Sequence, residues 1–306
     1  MLRIFAHANY NFIGNRNKAF VFTGVCLLVT IISIIYHKGL NYSIDFTGGT
    51  MVQLKFQNPV MGDLGRIRSI VNGLGLGSPE VKTIGQEKDN EIQIIVKKQS
   101  EEDLVSQEIA TALSKGYGEN GFEIRKEEKV GPKVGGELKK GALISLLLSL
   151  AAIIIYVGMR FNFPFGVAAV LCLFHDALVT IGLFSVMNIE LSLSMIAALM
   201  TIIGYSLNDT IVVFDRIREN MGGTMHKQSF EDKVNQSINQ TISRTIITSV
   251  TTLLAIGTVL VIFFSSRDVV SDFALAMTFG TVMGTYSTIF IASPIVVLWN
   301  RRWPIK

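Results

Sequence analysis

The sequence predicts a polytopic α-helical membrane protein: six transmembrane helices, with an α+β ferredoxin-like domain inserted after the first of them on the outer, periplasmic side. Three observations predict it. Of 306 residues, 49% are hydrophobic and only 17% charged, whereas ordinary soluble domains carry about 25% charged residues. The apolar residues gather in six long uncharged runs separated by polar stretches, which is the membrane pattern. Between the first two runs lies a polar stretch whose apolar spacing switches between strand and helix periods.

The first run, Ala19 to Tyr36, follows Arg3, Arg16 and Lys18, as the core of a signal peptide would. It is long for that role, and His37-Lys38 stand where small residues should mark a cleavage site. It reads as an uncleaved span. The other five runs are Gly141–Met159, Phe165–Val186, Leu193–Phe214, Ile246–Phe264 and Phe273–Trp299. Each is near or above the ~20 residues that cross ~30 Å of hydrocarbon at about 1.5 Å per residue. The last is long enough to tilt, to kink at Pro294 or to emerge into the interface.

Orientation follows from Lys and Arg in the short connections. One side carries Arg3, Arg16, Lys18, Arg160, Arg216, Arg218, Lys227, Lys233, Arg244, Arg301, Arg302 and Lys306. On the other side, Met187–Ser192 has no basic residue and Ser265–Ser271 has only Arg267. Both termini are therefore expected in the cytoplasm. The predicted division is 1–18 as an N-terminal tail, 19–36 as the first span, 37–140 as the outer domain, 141–299 as the remaining five-helix bundle and 300–306 as a C-terminal tail.

The outer domain reads as two β-α-β halves. Gly49–Phe56 is rich in Val, Leu and Phe and reads as a strand. Met61, Leu64, Ile67, Val71 and Leu74 recur at helical spacing, with Gly73 and Gly75 ending the run. Val81–Ile84 is a short strand, and Asp89-Asn90 turns into a third strand at Glu91–Lys97. Ser100 and Asp103 resemble a capping box before a helix carrying Val105, Ile109 and Leu113, which Gly116 ends. Phe122–Val130 closes the set. The order β-α-β-β-α-β is that of a ferredoxin-like sandwich, a fold that hosts many functions. The domain has no His/Cys cluster, phosphate loop or nucleophile constellation, so binding or coupling is expected of it rather than enzymatic chemistry. No cofactor, metal or ATP site is expected, and the net charge of +4 is no argument for nucleic acid. The two cysteines, Cys26 and Cys172, lie inside apolar runs and read as packing residues.

Ionisable groups within lipid cost at least ~2.5–3.5 kcal/mol on insertion scales and face protein or water. His175 and Asp176 stand near the middle of the third span; Asn208 and Asp209 stand in the cytoplasmic half of the fourth. The fifth span begins with Arg244, and Thr241, Arg244, Thr248 and Thr251/Thr252 share one helical face. Asp209 is the nearest partner for Arg244 by depth. A carboxyl and a guanidinium so placed form a proton relay if helix motion changes their separation. A structural reading stands beside it: Arg244 as an interfacial positive-inside residue, and Asp209 as glue between helices. His175 and Asp176 are open to the same two readings. Gly280-x-x-x-Gly284 permits close helix approach, though such spacing is common. Gly204 and Ser206 suggest tight packing of the fourth span.

Several segments together resemble the SecF branch of the SecD/SecF family. Asp45-Phe46-Thr47-Gly48-Gly49 resembles that family's signature just outside the first span. Val130–Leu138, His175-Asp176, Ile203–Asn220 and Ser243–Ser249 agree with the family in the same order. The resemblance implies an accessory subunit of the bacterial Sec preprotein translocase, in the inner membrane. It would pair with SecD into a bundle like an exporter of the resistance-nodulation-division superfamily. The pair would use the proton gradient to help draw preproteins from the SecYEG channel. The family's span-four aspartate and span-five arginine, assigned to the proton pathway, match Asp209 and Arg244. Two rival readings remain. One is a half-size proton-driven exporter of small molecules or lipids. The other is a passive translocon assembly factor.

Overall fold

The structure is a computed structural model that describes residues 8–77, 79–85, 87–97, 105–118, 121–222, 228–264 and 268–304. The chain enters the bundle through α1 (Arg16–Tyr36) and turns at the short helix α2 (Ile44–Thr47) into the inserted domain. That domain runs β1 (Gly49–Phe56), α3 (Leu64–Asn72), β2 (Glu80–Ile84), β3 (Glu91–Val96), α4 (Val105–Tyr117) and β4 (Phe122–Val130). Then follow α5 (Pro132–Arg160), α6 (Phe163–Val186), α7 (Leu193–Gly222) and α8 (Phe230–Phe263). The last span is α9 (Val269–Ser287), a π turn at Thr288–Ala292, and α10 (Ser293–Arg302). Among the described residues six helices are thus long and apolar enough to cross a membrane.

The four strands form an antiparallel sheet in the order β2-β3-β1-β4, the split β-α-β arrangement that the element order calls for. Strand alternation sends Val52, Leu54 and Phe56 of β1 and Ile92, Ile94 and Val96 of β3 to one face. There they meet Ile67 and Val71 of α3 and Ile109 and Leu113 of α4 in an apolar core. The helix period of α3 and α4 exists to complete this burial. The other face, with Gln53, Gln93 and Lys126, overhangs the membrane bundle across a cleft of about 630 Å3.

One local expectation needs correction. Gly116 lies inside α4, and the helix ends instead at Gly118, whose φ of +80° is the left-handed conformation that glycine adopts without strain. The capping box expected at Ser100 and Asp103 falls outside the described residues, as do Arg3, Lys227, Arg267 and Lys306 of the charge count. The turn at Asp89-Asn90 is present, with Asn90 at φ 53°.

The membrane helices extend past their apolar runs. α5 starts at Pro132, nine positions before the predicted span, so the outer domain joins the bundle through helix and not through a loop. Proline is suited to that first turn, where its missing N–H has no helical partner to lose. α7 continues past Phe214 to Gly222, and α8 begins at Phe230 rather than Ile246. The intervening charged residues are helical: Arg160 and Arg218 both pair with Asp215, at 3.2 and 3.1 Å, and Arg16 pairs with Glu231 at 3.2 Å. In the last span the irregularity expected at Pro294 is the π turn just before it. Pro294 has no N–H, and its ring crowds the carbonyl four residues back. The wider turn relieves that crowding, and Ser293 Oγ donates to the Thr288 carbonyl at 3.0 Å.

α6 and the last span form the inside of the bundle, whereas α1, α5 and α8 present exposed Leu28, Ile32, Leu147, Leu148, Leu254 and Val261 outward. Close approach depends on small residues. A Cβ on Gly280 would stand 2.3 Å from Ile202 Cδ1, and one on Gly284 would stand 3.0 Å from Ser206 Cβ. The Gly280-x-x-x-Gly284 spacing is therefore what lets α9 lie against α7.

Candidate functional site

Asp176, near the middle of α6, is fully buried. Its carboxylate is held from three directions. Ser206 Oγ of α7 donates to Oδ2 at 2.7 Å, and Ser287 Oγ at the end of α9 donates to the same oxygen at 2.8 Å. His175 Nδ1 lies 3.0 Å from Oδ1. Cys172, one turn earlier on α6, donates its thiol to Ser287 Oγ at 3.1 Å. The thiol expected as simple packing is therefore also part of a buried polar chain. Thr180 Oγ1 closes the helix side by donating to the Asp176 carbonyl at 2.7 Å.

Asp209 stands three residues after Ser206, on the same side of α7. It is 3% exposed, and Thr248 Oγ1 of α8 donates to its Oδ1 at a long 3.4 Å. Oδ2 has no hydrogen-bond partner among the described residues. Thr245 and Thr281, on α8 and α9, likewise hold buried hydroxyls without a partner, and Ser249 and Thr285 pair across the same two helices at 2.6 Å. Buried polar atoms are nearly always satisfied. A cluster of unsatisfied ones between three membrane helices marks a place for water or for a change of state.

Arg244 lies one turn before Thr248 on α8, but no ion pair joins it to Asp209. It is exposed on the surface of this chain. Equal depth thus brought the two helices' polar faces together, and it is the threonine hydroxyl that meets the carboxylate. Asn208 is exposed, turned away from Asp209's buried side. His175 Nε2 is buried without a partner, and the ring lies 6.4 Å from that of Tyr286. Tyr286 donates to the Ala19 carbonyl at 2.8 Å and so ties the last span to α1. Among the described residues no three His, Cys, Asp or Glu side chains gather as a metal site.

Ser206, Ser287 and Cys172 were not marked as functional by their sequence context. The usable signal was the spacing: Ser206 three residues before Asp209, and Ser287 three after Gly284. Both place a hydroxyl on a face already marked by a charge or a small residue.

The signature residues Asp45 to Gly49 form a second centre at the outer surface. Ser43 Oγ accepts from Asp45 N at 3.2 Å and starts α2 as its N-cap. Asp45 Oδ2 accepts from the backbone N–H of Leu193, the first residue of α7, at 2.9 Å. Phe46 is buried, and Thr47 Oγ1 donates back to the Ser43 carbonyl at 3.1 Å. Gly48 and Gly49 have φ of +72° and +141°. A Cβ on Gly48 would stand 2.9 Å from Pro132 Cα, and one on Gly49 would stand 2.4 Å from the Val96 carbonyl. Both therefore combine a backbone conformation and a clearance that only glycine supplies. Nearby, Lys82 of β2 reaches Glu190 in the α6–α7 loop at 3.5 Å. Burial pushes the Glu190 carboxyl above the ordinary carboxylate range, and the positive charge of Lys82 pulls it partly back.

The family model for the C-terminal region of protein export membrane protein SecD/SecF matches residues 109–302, and that for the SecD/SecF GG motif matches residues 33–60. The protein translocase subunit SecF of Magnetococcus marinus is 41% identical over 304 residues, covering 98% of this chain and 95% of its own. That of Pseudomonas aeruginosa is 39% identical over 291 residues, covering 94% and 90%. Among solved structures, SecDF from Thermus thermophilus, a translocon-associated membrane protein, superposes with a TM-score of 0.81 at 36% identity. The match covers 97% of this chain and 39% of that one, so this chain spans about two-fifths of its length. SecDF in a super-membrane-facing form gives a TM-score of 0.67 at 37% identity over the same shares.

Proposed function

The chain belongs to the SecD/SecF family of protein export membrane proteins and is a multi-pass translocase subunit of the SecF type, and on that premise we propose that it couples the proton gradient to late steps of preprotein export. It does so with SecD as partner beside the SecYEG channel, in the bacterial inner membrane, with both termini in the cytoplasm and the inserted domain in the periplasm. It performs no covalent catalysis of its own.

One observation carries this reading: Asp209 is a carboxyl buried within a membrane-spanning helix, with one oxygen unpartnered and the other on a single long hydrogen bond. A group so placed changes its interactions sharply on gaining or losing a proton, because the protein does not supply a full set of donors to the charged form. Arg244 supports it from the chain's surface, where a helix of SecD has access to it. A small shift of α8 brings its guanidinium toward Asp209 or removes it, and so alters the proton affinity of the site. Asp176, clamped by α6, α7 and α9, fixes the helices among which this happens. Moving one charge through 100 mV supplies about 2.3 kcal/mol, enough for a few protons to drive a modest domain rearrangement.

The test is preprotein release in membrane vesicles holding this chain with SecD and SecYEG. Asp209→Asn is expected to abolish the gradient-dependent part of release while the complex still assembles, and Arg244→Leu to reduce it strongly. Normal gradient-dependent release by assembled Asp209→Asn vesicles would instead favour a passive assembly factor.

A further inference from the structure

We propose that the Asp45–Gly49 segment is a rigid joint through which movement of α7, the helix that carries Asp209, is passed to the inserted domain. The inference rests on the proton reading of Asp209 and adds the route by which that site reaches the domain.

Four sets of contacts define the joint. Asp45 caps α7 directly, a carboxylate on the N-terminal N–H of the helix, where the macrodipole also favours negative charge. Just before it, residues 41–43 run alongside the α6–α7 loop. Leu191 N donates to the Asn41 carbonyl at 2.7 Å, Ser43 N donates to the Leu191 carbonyl at 2.9 Å, and Tyr42 and Leu191 form a parallel bridge. On the domain side, Ile44 of α2 packs with Met51 of β1 and Ile95 of β3 on the sheet face that overhangs the bundle. On the bundle side, α5 comes close enough that a Cβ on Gly135 would stand 3.0 Å from Gly48 N and 3.1 Å from the Phe46 carbonyl.

The physical consequence is that α2 cannot slide against any of these neighbours. Glycines at Gly48, Gly49 and Gly135 bring backbone against backbone, and such contacts lack the side-chain rotamers that let a soft interface adjust. Backbone pairing at 41–43 is set in register with the start of α7. Asp209 lies sixteen residues further along the same helix, roughly 24 Å away at 1.5 Å per residue. A helix transmits axial shift or tilt over that distance as one rigid element. The rest of the sheet overhang faces the open cleft, so the domain has room to move with the joint. By linkage, whatever α7 does to the domain, a load on the domain does to α7.

The experiment uses the same vesicles with SecD and SecYEG and reads two quantities, preprotein release and proton flux reported by a pH-sensitive dye. Asp45→Ala is expected to lower gradient-driven release by about tenfold, within the usual span of coupling energies, while flux persists. Asp45→Asn keeps an acceptor and loses only the charge, so a smaller loss of about threefold is expected. A disulfide between Tyr42→Cys and Leu191→Cys, formed in the same variant, should leave release equal in oxidised and reduced vesicles, because the joint moves as one body. Unchanged release in Asp45→Ala, flux falling in step with release, or release stopped by the disulfide would each overturn the proposal. If Asp45→Ala fails to assemble, the asparagine variant and the disulfide decide it. Wild-type vesicles without gradient-dependent flux would overturn the proton reading, and the joint with it.

Discussion

The inserted domain and the membrane bundle both bury apolar side chains, but they differ in how many polar ones they bury with them. Among the described residues between 41 and 130 the buried polar ones are Ser43, Thr50 and Ser106, set against a core of Val, Leu, Ile and Phe. In the bundle, His175, Asp176, Asp209 and more than ten serines and threonines are buried, while Leu28, Leu147, Leu254 and Val261 point outward. The domain is organised by water and its fold is driven by apolar burial. The bundle's outer surface meets hydrocarbon, so apolar side chains gain little by turning inward, and helices associate through small residues and hydrogen bonds. Chemistry is concentrated where apolar burial is not needed to hold the fold.

Three changes sharpen that contrast, in falling order of effect. Leu54→Ala removes a fully buried side chain from the centre of the domain core and is expected to cost about 2–5 kcal/mol, read as faster proteolysis of the domain in intact membranes. Ser206→Ala removes one donor from Asp176 and is expected to cost only about 0.6 kcal/mol, at most roughly 1.7, by detergent-induced unfolding. A bundle variant costing as much as the domain variant would break the comparison. The smallest effect is at the boundary. Because the Glu190 carboxyl is raised in the folded chain, contact between loop and domain is strongest with the proton on. It weakens as pH rises from the ordinary carboxylate value through the raised one, then levels off. Exchange of the Leu191 amide should therefore quicken over that window by about threefold relative to Ile94, and Glu190→Gln should flatten the trend.

The strands were legible because alternation and turn residues act locally: β1 and β4 lie at Gly49–Phe56 and Phe122–Val130, as their composition indicates. Helix ends in the bundle were not. Hydropathy reports the thickness of lipid, whereas a helix stops where its hydrogen bonds stop, which is how α8 comes to begin sixteen residues before Ile246. The four residues of α2 are too few for any period to show. Charges in lipid exposed Asp176 and Asp209 at once, since their insertion cost demands a reason. Their partners stayed hidden. Arg244 and Thr248 lie on one face one turn apart, so a single turn of depth decides that Thr248 rather than Arg244 meets Asp209, and counting residues along two separate helices does not resolve one turn.

The π turn at Thr288–Ala292 lets the last span serve two masters. Each extra residue in a helix rotates the downstream turns by about 100° relative to a regular continuation. Upstream of the turn, Ser287 addresses Asp176; downstream, Val296 and Val297 pack into the apolar cluster with Phe165 and Phe214. The widened turn separates these two registers, so the polar half of the helix is aimed independently of the half that anchors it.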